Sequence, residues 1–332
     1  MTRTRLPGRQ RRIPALRLVG TLLATGLLVY LLSQQGWGDI LAALRHMPWW
    51  RIVLAFALTM VSRLAVSGRW HVLLRSAGVP IPVRQSVRIT FAGLFASNFL
   101  PTTIGGDVVR LGGALRMGYD RMISLASLIV DRLVGMAGMA MALIPVLFEL
   151  PDILRNLFGR GRAVILPGFG IVPLATTQSG WAGRLWAKGR MLFARLLGAL
   201  GLWIKHPLGL LVALGFTGIH MGCIFTSIWL LLPGMGEHMP LWQIGGLWSV
   251  TYFITLLPVS INGLGVQELA VTGLYAHFGG ISAASSLTLA LLVRVLPMFA
   301  SLPGAFFLPG MMAGEEAALS PVVEVSESVD VD

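Results

Sequence analysis

From Leu208 to Leu232 the chain runs through 25 residues without an Asp, Glu, Lys or Arg. A helix rising about 1.5 Å per residue needs only about 20 residues to cross roughly 30 Å of hydrocarbon. Predominantly apolar runs of similar reach cover about Ala15–Ser33, Trp49–Ser67, Met122–Leu150 and Ser282–Leu308. Only 12% of the 332 residues are charged, about half the share typical of a soluble domain. The expected fold class is therefore all-α, a polytopic membrane helical bundle.

The formal charge of +12 suggests nucleic acid until the positions are read. The basic residues sit between apolar runs rather than on one soluble face, so no nucleic-acid partner is expected. Arg3, Arg5, Arg9, Arg11, Arg12 and Arg17 all precede the first acid, Asp39. Residues 1–14 thus read as a basic cytoplasmic N-terminus of a multi-pass cell inner-membrane protein. The run at 15–33 is too long for a signal-peptide core and lacks a small-residue cleavage site, which makes it a retained span. Arg69, Arg75, Arg84 and Arg88 put the next loop back in the cytoplasm, with Trp50 and Trp70 marking the two interfaces of the span between. Residues 184–205 carry Arg184, Lys188 and Arg195 on one helical face and Leu185, Leu192 and Leu196 on another, the pattern of an amphipathic interfacial helix. Residues 315–332 are acidic and read as a disordered tail. Gly218 and Gly222 have the spacing of close helix packing within the chain, and Cys223 reads as a small apolar residue.

Two apolar segments end in sequences that cannot continue a helix. Leu100-Pro101-x-x-Ile104-x-Gly106 and Leu257-Pro258-x-x-Ile261-x-Gly263 match at a constant offset of 157, and each precedes a span with a central arginine, Arg132 or Arg294, at an offset of 162. Proline removes a backbone donor and glycine weakens the helix. The recurrence predicts a duplicated unit over about 49–150 and 207–310 within a membrane domain at 15–310. If each break is the tip of a re-entrant hairpin, the loop charges make the repeats inverted, with about six full spans plus two broken-helix hairpins. Eight full spans, with 163–177 outside the membrane, satisfy the same loops.

At these motifs the chain resembles the flippase-like transmembrane region of lysylphosphatidylglycerol synthases, as a stand-alone member without the synthase domain. The likeness rests on Asn98-Phe99-Leu100-Pro101, Gly105-Gly106-Asp107, Arg110, Asp131-Arg132 and Gly135, then on Pro258, Asn262-Gly263-Leu264-Gly265-Val266-Gln267-Glu268 and Arg294. It implies a helical bundle that moves, or helps to move, a lipid between leaflets. Aminoacyl transfer belongs to a separate soluble domain in the synthases and is not carried over.

Charges within a span are expensive, so Asp131, Arg132 and Arg294 are expected to face the bundle interior with partners. Arg110, Arg132 and Arg294 are the candidate lining of a path for an anionic headgroup, since arginine offers a forked, permanently charged donor to phosphate. Asn98 and Asn262 are hydrogen-bond donors to the headgroup or caps at broken helix ends. Asp107, Asp131 and Glu268 are ion-pair or proton-coupling carboxylates. Pro101, Gly105, Gly106, Pro258, Gly263 and Gly265 are structural breaks.

The histidines lack metal-ligand spacing, and neither Lys188 nor Lys205 precedes Ser or Thr as a P-loop requires. No metal, cofactor or enzymatic activity is expected. The expected partners are membrane lipids, anionic ones, with enzymes of a lipid or glycan pathway as further partners. A membrane-embedded lipid or polyprenyl transferase using Asp131 or Glu268 as base, and a pathway scaffold, are the alternatives.

Overall fold

The computed structural model describes residues 47–99, 105–158, 201, 203, 205–257 and 260–307, with 146–158 and 261 as backbone only. The expected first span at 15–33, Pro101, Pro258, the segment 163–177, nearly all of the interfacial helix at 184–205 and the tail at 315–332 lie outside the described residues.

The apolar runs become eight α-helices, with no strand among the described residues: α1 Trp49–Ser76, α2 Val83–Phe99, α3 Gly105–Arg116, α4 Arg121–Phe158, α5 Pro207–Leu231, α6 Leu241–Leu256, α7 Val266–His277 and α8 Ala283–Ser301. Among the described residues, four segments are long and apolar enough to cross a membrane: Trp49–Ser76, Arg121–Pro145, Pro207–Met235 and Ala283–Phe306. Their outer faces carry exposed Val53, Val61, Leu64, Leu211, Val212 and Ile219, apolar surface that lipid covers in a membrane protein.

Local chemistry sets the helix ends. Asp120 Oδ1 accepts from the amides of Met122 and Ile123 at 2.8 Å each, starting α4. The Ser282 hydroxyl accepts from the Ser285 amide at 3.2 Å, starting α8. Both caps satisfy amides that lack an intrahelical acceptor. After α5, a short 3-10 turn at Leu232–Met235 closes on Gly236 in the left-handed region (φ 77°).

Each sequence break separates two helices that run antiparallel, rather than bending one helix. A Cβ on Gly93 of α2 would lie 2.8 Å from the Gly106 carbonyl oxygen, and one on Gly113 would lie 3.1 Å from Ile89. Moving forward along α3 therefore means moving back along α2, an antiparallel pair. In the second half the Tyr275 hydroxyl donates to the Ile244 carbonyl at 3.3 Å, and the Gln243 amide donates to the Phe278 carbonyl at 2.9 Å. Thus α6 and α7 pair the same way. At 12 residues each, α3 and α7 are about 18 Å long, short of the hydrocarbon thickness.

A long helix, an antiparallel pair and a second long helix follow one another twice. The two leading helices, α1 and α5, pack along each other, while the pair of each half lies against the last helix of the other: α2 on α8 and α6 on α4.

Three sequence expectations change. Helix α1 does not end near Ser67 but continues to Ser76, so Arg69 lies in a helix rather than in a cytoplasmic loop. Its charge does not stop the helix because Asp131 meets it. Trp70 is fully buried, whereas Trp50 is 46% exposed, so Trp70 does not mark an interface; its indole donates to the Ser127 hydroxyl at 3.1 Å. Finally, Gly218 and Gly222 point away from the bundle, where a Cβ on either would meet nothing within 4 Å. The close approaches of α5 occur instead at Gly138 against Thr217 and at Gly209 against Ser76.

Candidate functional site

Asp131, in α4, is the most enclosed carboxylate among the described residues at 2% exposure. Arg69 Nε from α1 donates to its Oδ1 at 2.7 Å, and the Arg110 guanidinium from α3 donates to its Oδ2 at 3.1 Å. Arg69 also reaches the Thr217 hydroxyl of α5 at 3.3 Å. The Arg110 guanidinium sits 4.5 Å from the Trp70 ring centroid, a cation–π contact. Gly135 lies one turn beyond Asp131, and a Cβ there would stand 3.1 Å from an Arg69 nitrogen. The glycine gives Arg69 its route to the carboxylate. These contacts fasten four helices and occupy both oxygens of Asp131, since a buried charge is tolerable only when paired and hydrogen-bonded.

The next residue, Arg132, points elsewhere. Its side chain is 54% exposed and pairs with Asp107, whose other oxygen is 3.6 Å from Arg110. The second half repeats this arrangement: Arg294 Nε lies 3.5 Å from Glu268 Oε1. Asp107 and Glu268 are each the third residue of a short helix, and Arg132 and Arg294 are each the twelfth residue of the long helix that follows. In each half, therefore, a first-turn acid favoured by the helix dipole holds the arginine of the next long helix.

The tip of the second pair is built from left-handed backbone. Asn262 (φ 54°), Gly263 (φ 66°) and Gly265 (φ 76°) all adopt it, conformations that glycine and asparagine tolerate best. The turn exposes the Asn262 carbonyl, which accepts from Arg294 at 3.2 Å, and the same guanidinium nitrogen reaches Gln267 Oε1 at 3.2 Å. Gly106 works differently. It is helical, and a Cβ on it would come 2.6 Å from the Gly93 carbonyl oxygen, so it serves close packing; Gly105 begins the same helix. Near the first tip, the Asn98 amide donates to the Ser301 hydroxyl of α8 at 2.9 Å.

Between the C-terminal end of α2 and the turn that precedes α7 lies a cavity of about 440 Å³, within the range of small-molecule sites. Ser97 and Asn98 come from the end of α2 and Ser260, Asn262 and Gly263 from the turn before α7; Arg63 and Ser62 come from α1, Arg132 from α4, His220 from α5, Tyr252 from α6, Gln267 from α7 and Arg294 from α8. No carboxylate is among the lining residues. Of the side chains the sequence pointed to, Arg132, Arg294, Asn98 and Asn262 line this space. Arg110, Asp107, Asp131 and Glu268 stand behind its wall in ion pairs. Sequence reading missed Arg63, Arg69, His220 and Tyr252. Arg63 carried a usable signal, an arginine inside an apolar run where charge is expensive.

Eight helices with lipid-facing apolar surfaces around an arginine-lined cavity define a multi-pass helical membrane protein. The model of the family described as the lysylphosphatidylglycerol synthase TM region matches residues 17–304. With nearly the whole chain matched, the protein belongs to that family. No curated protein matches the chain.

Proposed function

We propose that the protein translocates, or helps to translocate, an anionic lipid or lipid-linked intermediate between the leaflets of the cell inner membrane. The observation that carries this reading is the cavity between the end of α2 and the turn before α7, lined by three arginines and no carboxylate. In this reading α2–α3 and α6–α7 are re-entrant hairpins entering from opposite faces, and the halves are inverted repeats with the N-terminus in the cytoplasm. Broken helices meeting at a central polar space are the usual arrangement of a transporter site. Their irregular backbone is acceptable within a bilayer because it borders a cavity.

Transport accounts for the carboxylates better than catalysis does. A general base must reach the substrate proton, yet Asp131 and Glu268 are 2% and 3% exposed, bound to arginines and off the cavity lining.

The test is reconstitution into phosphatidylcholine liposomes holding a trace of fluorescent phosphatidylglycerol, with dithionite added outside to quench accessible probe. Loss of the protected inner-leaflet signal faster than in protein-free liposomes, and faster than for fluorescent phosphatidylcholine, is the expected result. Identical traces with and without protein overturn the proposal.

A further inference from the structure

The cavity brings together arginines of two kinds. Arg132 is held by Asp107 and Arg294 by Glu268, Gln267 and the Asn262 carbonyl. Behind the wall, Arg69 and Arg110 share Asp131. Arg63 differs from all four. No hydrogen bond or ion pair ties its guanidinium to any described residue, and its Nε is buried without an acceptor. Among the described residues around the cavity, five arginines thus meet three carboxylates, and the charge left over is that of Arg63 on the cavity wall.

A buried guanidinium nitrogen without an acceptor is expensive, because burial removes its water without supplying a protein partner. A phosphate oxygen supplies the missing acceptor, and a planar fork matches phosphate geometry with two parallel N–H donors. The neighbouring residue on α1 adds to the site. Ser62 Oγ is 2.7 Å from His220 Nδ1, and both residues line the same cavity. Hydroxyl and imidazole thus stand fixed on the same cavity wall as Arg63.

We infer that Arg63 is the docking residue for the headgroup phosphate, and that the cavity takes a phosphate ester of net negative charge and rejects the lysylated, net positive one. This rests on the translocation reading above. The rejection follows from the same wall. A lysyl ester adds two ammonium groups to one phosphate, and the lining offers them the uncompensated Arg63, two arginines already paired with acids behind the wall, and no free carboxylate. Arg132 and Arg294 keep their own acids, and Arg294 also holds the Asn262 carbonyl, so Arg63 sets the sign of the headgroup.

The experiment uses the full chain in phosphatidylcholine nanodiscs doped with phosphatidylglycerol or with lysylphosphatidylglycerol. Retained lipid is counted by native mass spectrometry for wild type, Arg63→Gln and Arg63→Lys, and glycerol 3-phosphate is added as a soluble competitor. Wild type retains phosphatidylglycerol over its lysylated form. Arg63→Gln weakens retention roughly tenfold to a hundredfold, the scale of a lost charge-assisted hydrogen bond. Arg63→Lys, which keeps charge but loses the fork, falls between and provides the comparison should the glutamine variant fail to fold.

Wild-type retention unchanged in both variants overturns the role of Arg63 while leaving translocation standing. Equal retention of the two lipids overturns the charge selection alone. Retention of neither lipid overturns the translocation reading itself. Displacement of phosphatidylglycerol by glycerol 3-phosphate at equal concentration identifies a soluble phosphate ester as the occupant and overturns the lipid assignment.

Discussion

Arg69 Nε lies 2.7 Å from Asp131 Oδ1, although 62 positions separate the two residues in the chain. The pair joins α1 to α4, and Arg110 brings α3 to the same carboxylate. Removing the acid strands two buried guanidinium groups, a loss of about 3–5 kcal/mol by analogy with other buried pairs. Asp131→Asn is therefore expected to lower the unfolding temperature in detergent sharply. Arg132→Gln, which breaks a half-exposed pair, falls within about 1 kcal/mol of wild type. Thermal unfolding followed by intrinsic tryptophan fluorescence separates the two, and an Asp131→Asn protein as stable as wild type contradicts the keystone role.

The first hairpin depends on glycine for a different reason. Gly93 and Gly106 let α2 and α3 touch backbone to backbone, with a Cβ on Gly93 only 2.8 Å from the Gly106 oxygen. Gly93→Ala should destabilise by about 1–3 kcal/mol through overpacking. Gly112→Ala, on the partner helix α3 with nothing within 4 Å, is the control and is expected to be neutral or slightly stabilising, since alanine favours helix. Equal melting temperatures for the two variants contradict the close-approach explanation.

What the sequence disclosed, and what it hid, follows from the range of each interaction. Apolar runs and the Pro–Gly breaks are local signals, so the long helices and the two reversals were legible, as was the Arg132–Arg294 correspondence. The extension of α1 through Arg69 and Trp70 was not. A charge followed by tryptophan reads as a membrane boundary until its partner, 62 residues away, is known. The spacing of Gly218 and Gly222 was equally visible, but which way a helix faces is decided by its neighbours. Arg110 looked like a headgroup ligand by position; Asp131 turns it away from the cavity and leaves that place to Arg63.

Outside the long helices, Glu237 carries a pH dependence. Burial alone would raise its pKa, but hydrogen bonds from the Ser282 amide and from the Ser282 and Ser285 hydroxyls outweigh it and hold the carboxyl below its ordinary value. A depressed folded value stabilises the protein above the unfolded pKa of about 4.3 and loses that stabilisation as pH falls through the folded value. Glu237→Gln should lower the melting temperature modestly at pH 7, with the difference shrinking below about pH 4. A difference that is constant from pH 7 to pH 3 contradicts this assignment.

Arg294 and Glu268 decide whether an intramembrane pair holds a tip or binds a ligand. Arg294→Gln alone leaves Glu268, already 3% exposed and with Oε2 lacking a partner, as an isolated buried charge, a loss of about 3–5 kcal/mol. Adding Glu268→Gln removes that charge, so the double variant should recover most of the stability; the shortfall from additivity measures the coupling. Since Glu268 neutralises Arg294, the double variant is expected to bind phosphatidylglycerol nearly as wild type does. Its translocation should nevertheless be slower, because the Asn262 carbonyl has lost the guanidinium that fixes the second tip to α8. Native mass spectrometry and the dithionite assay on the same protein read the two effects separately. Slower translocation with intact binding makes Arg294 a positioning residue, and loss of both with recovered stability makes it a headgroup ligand after all.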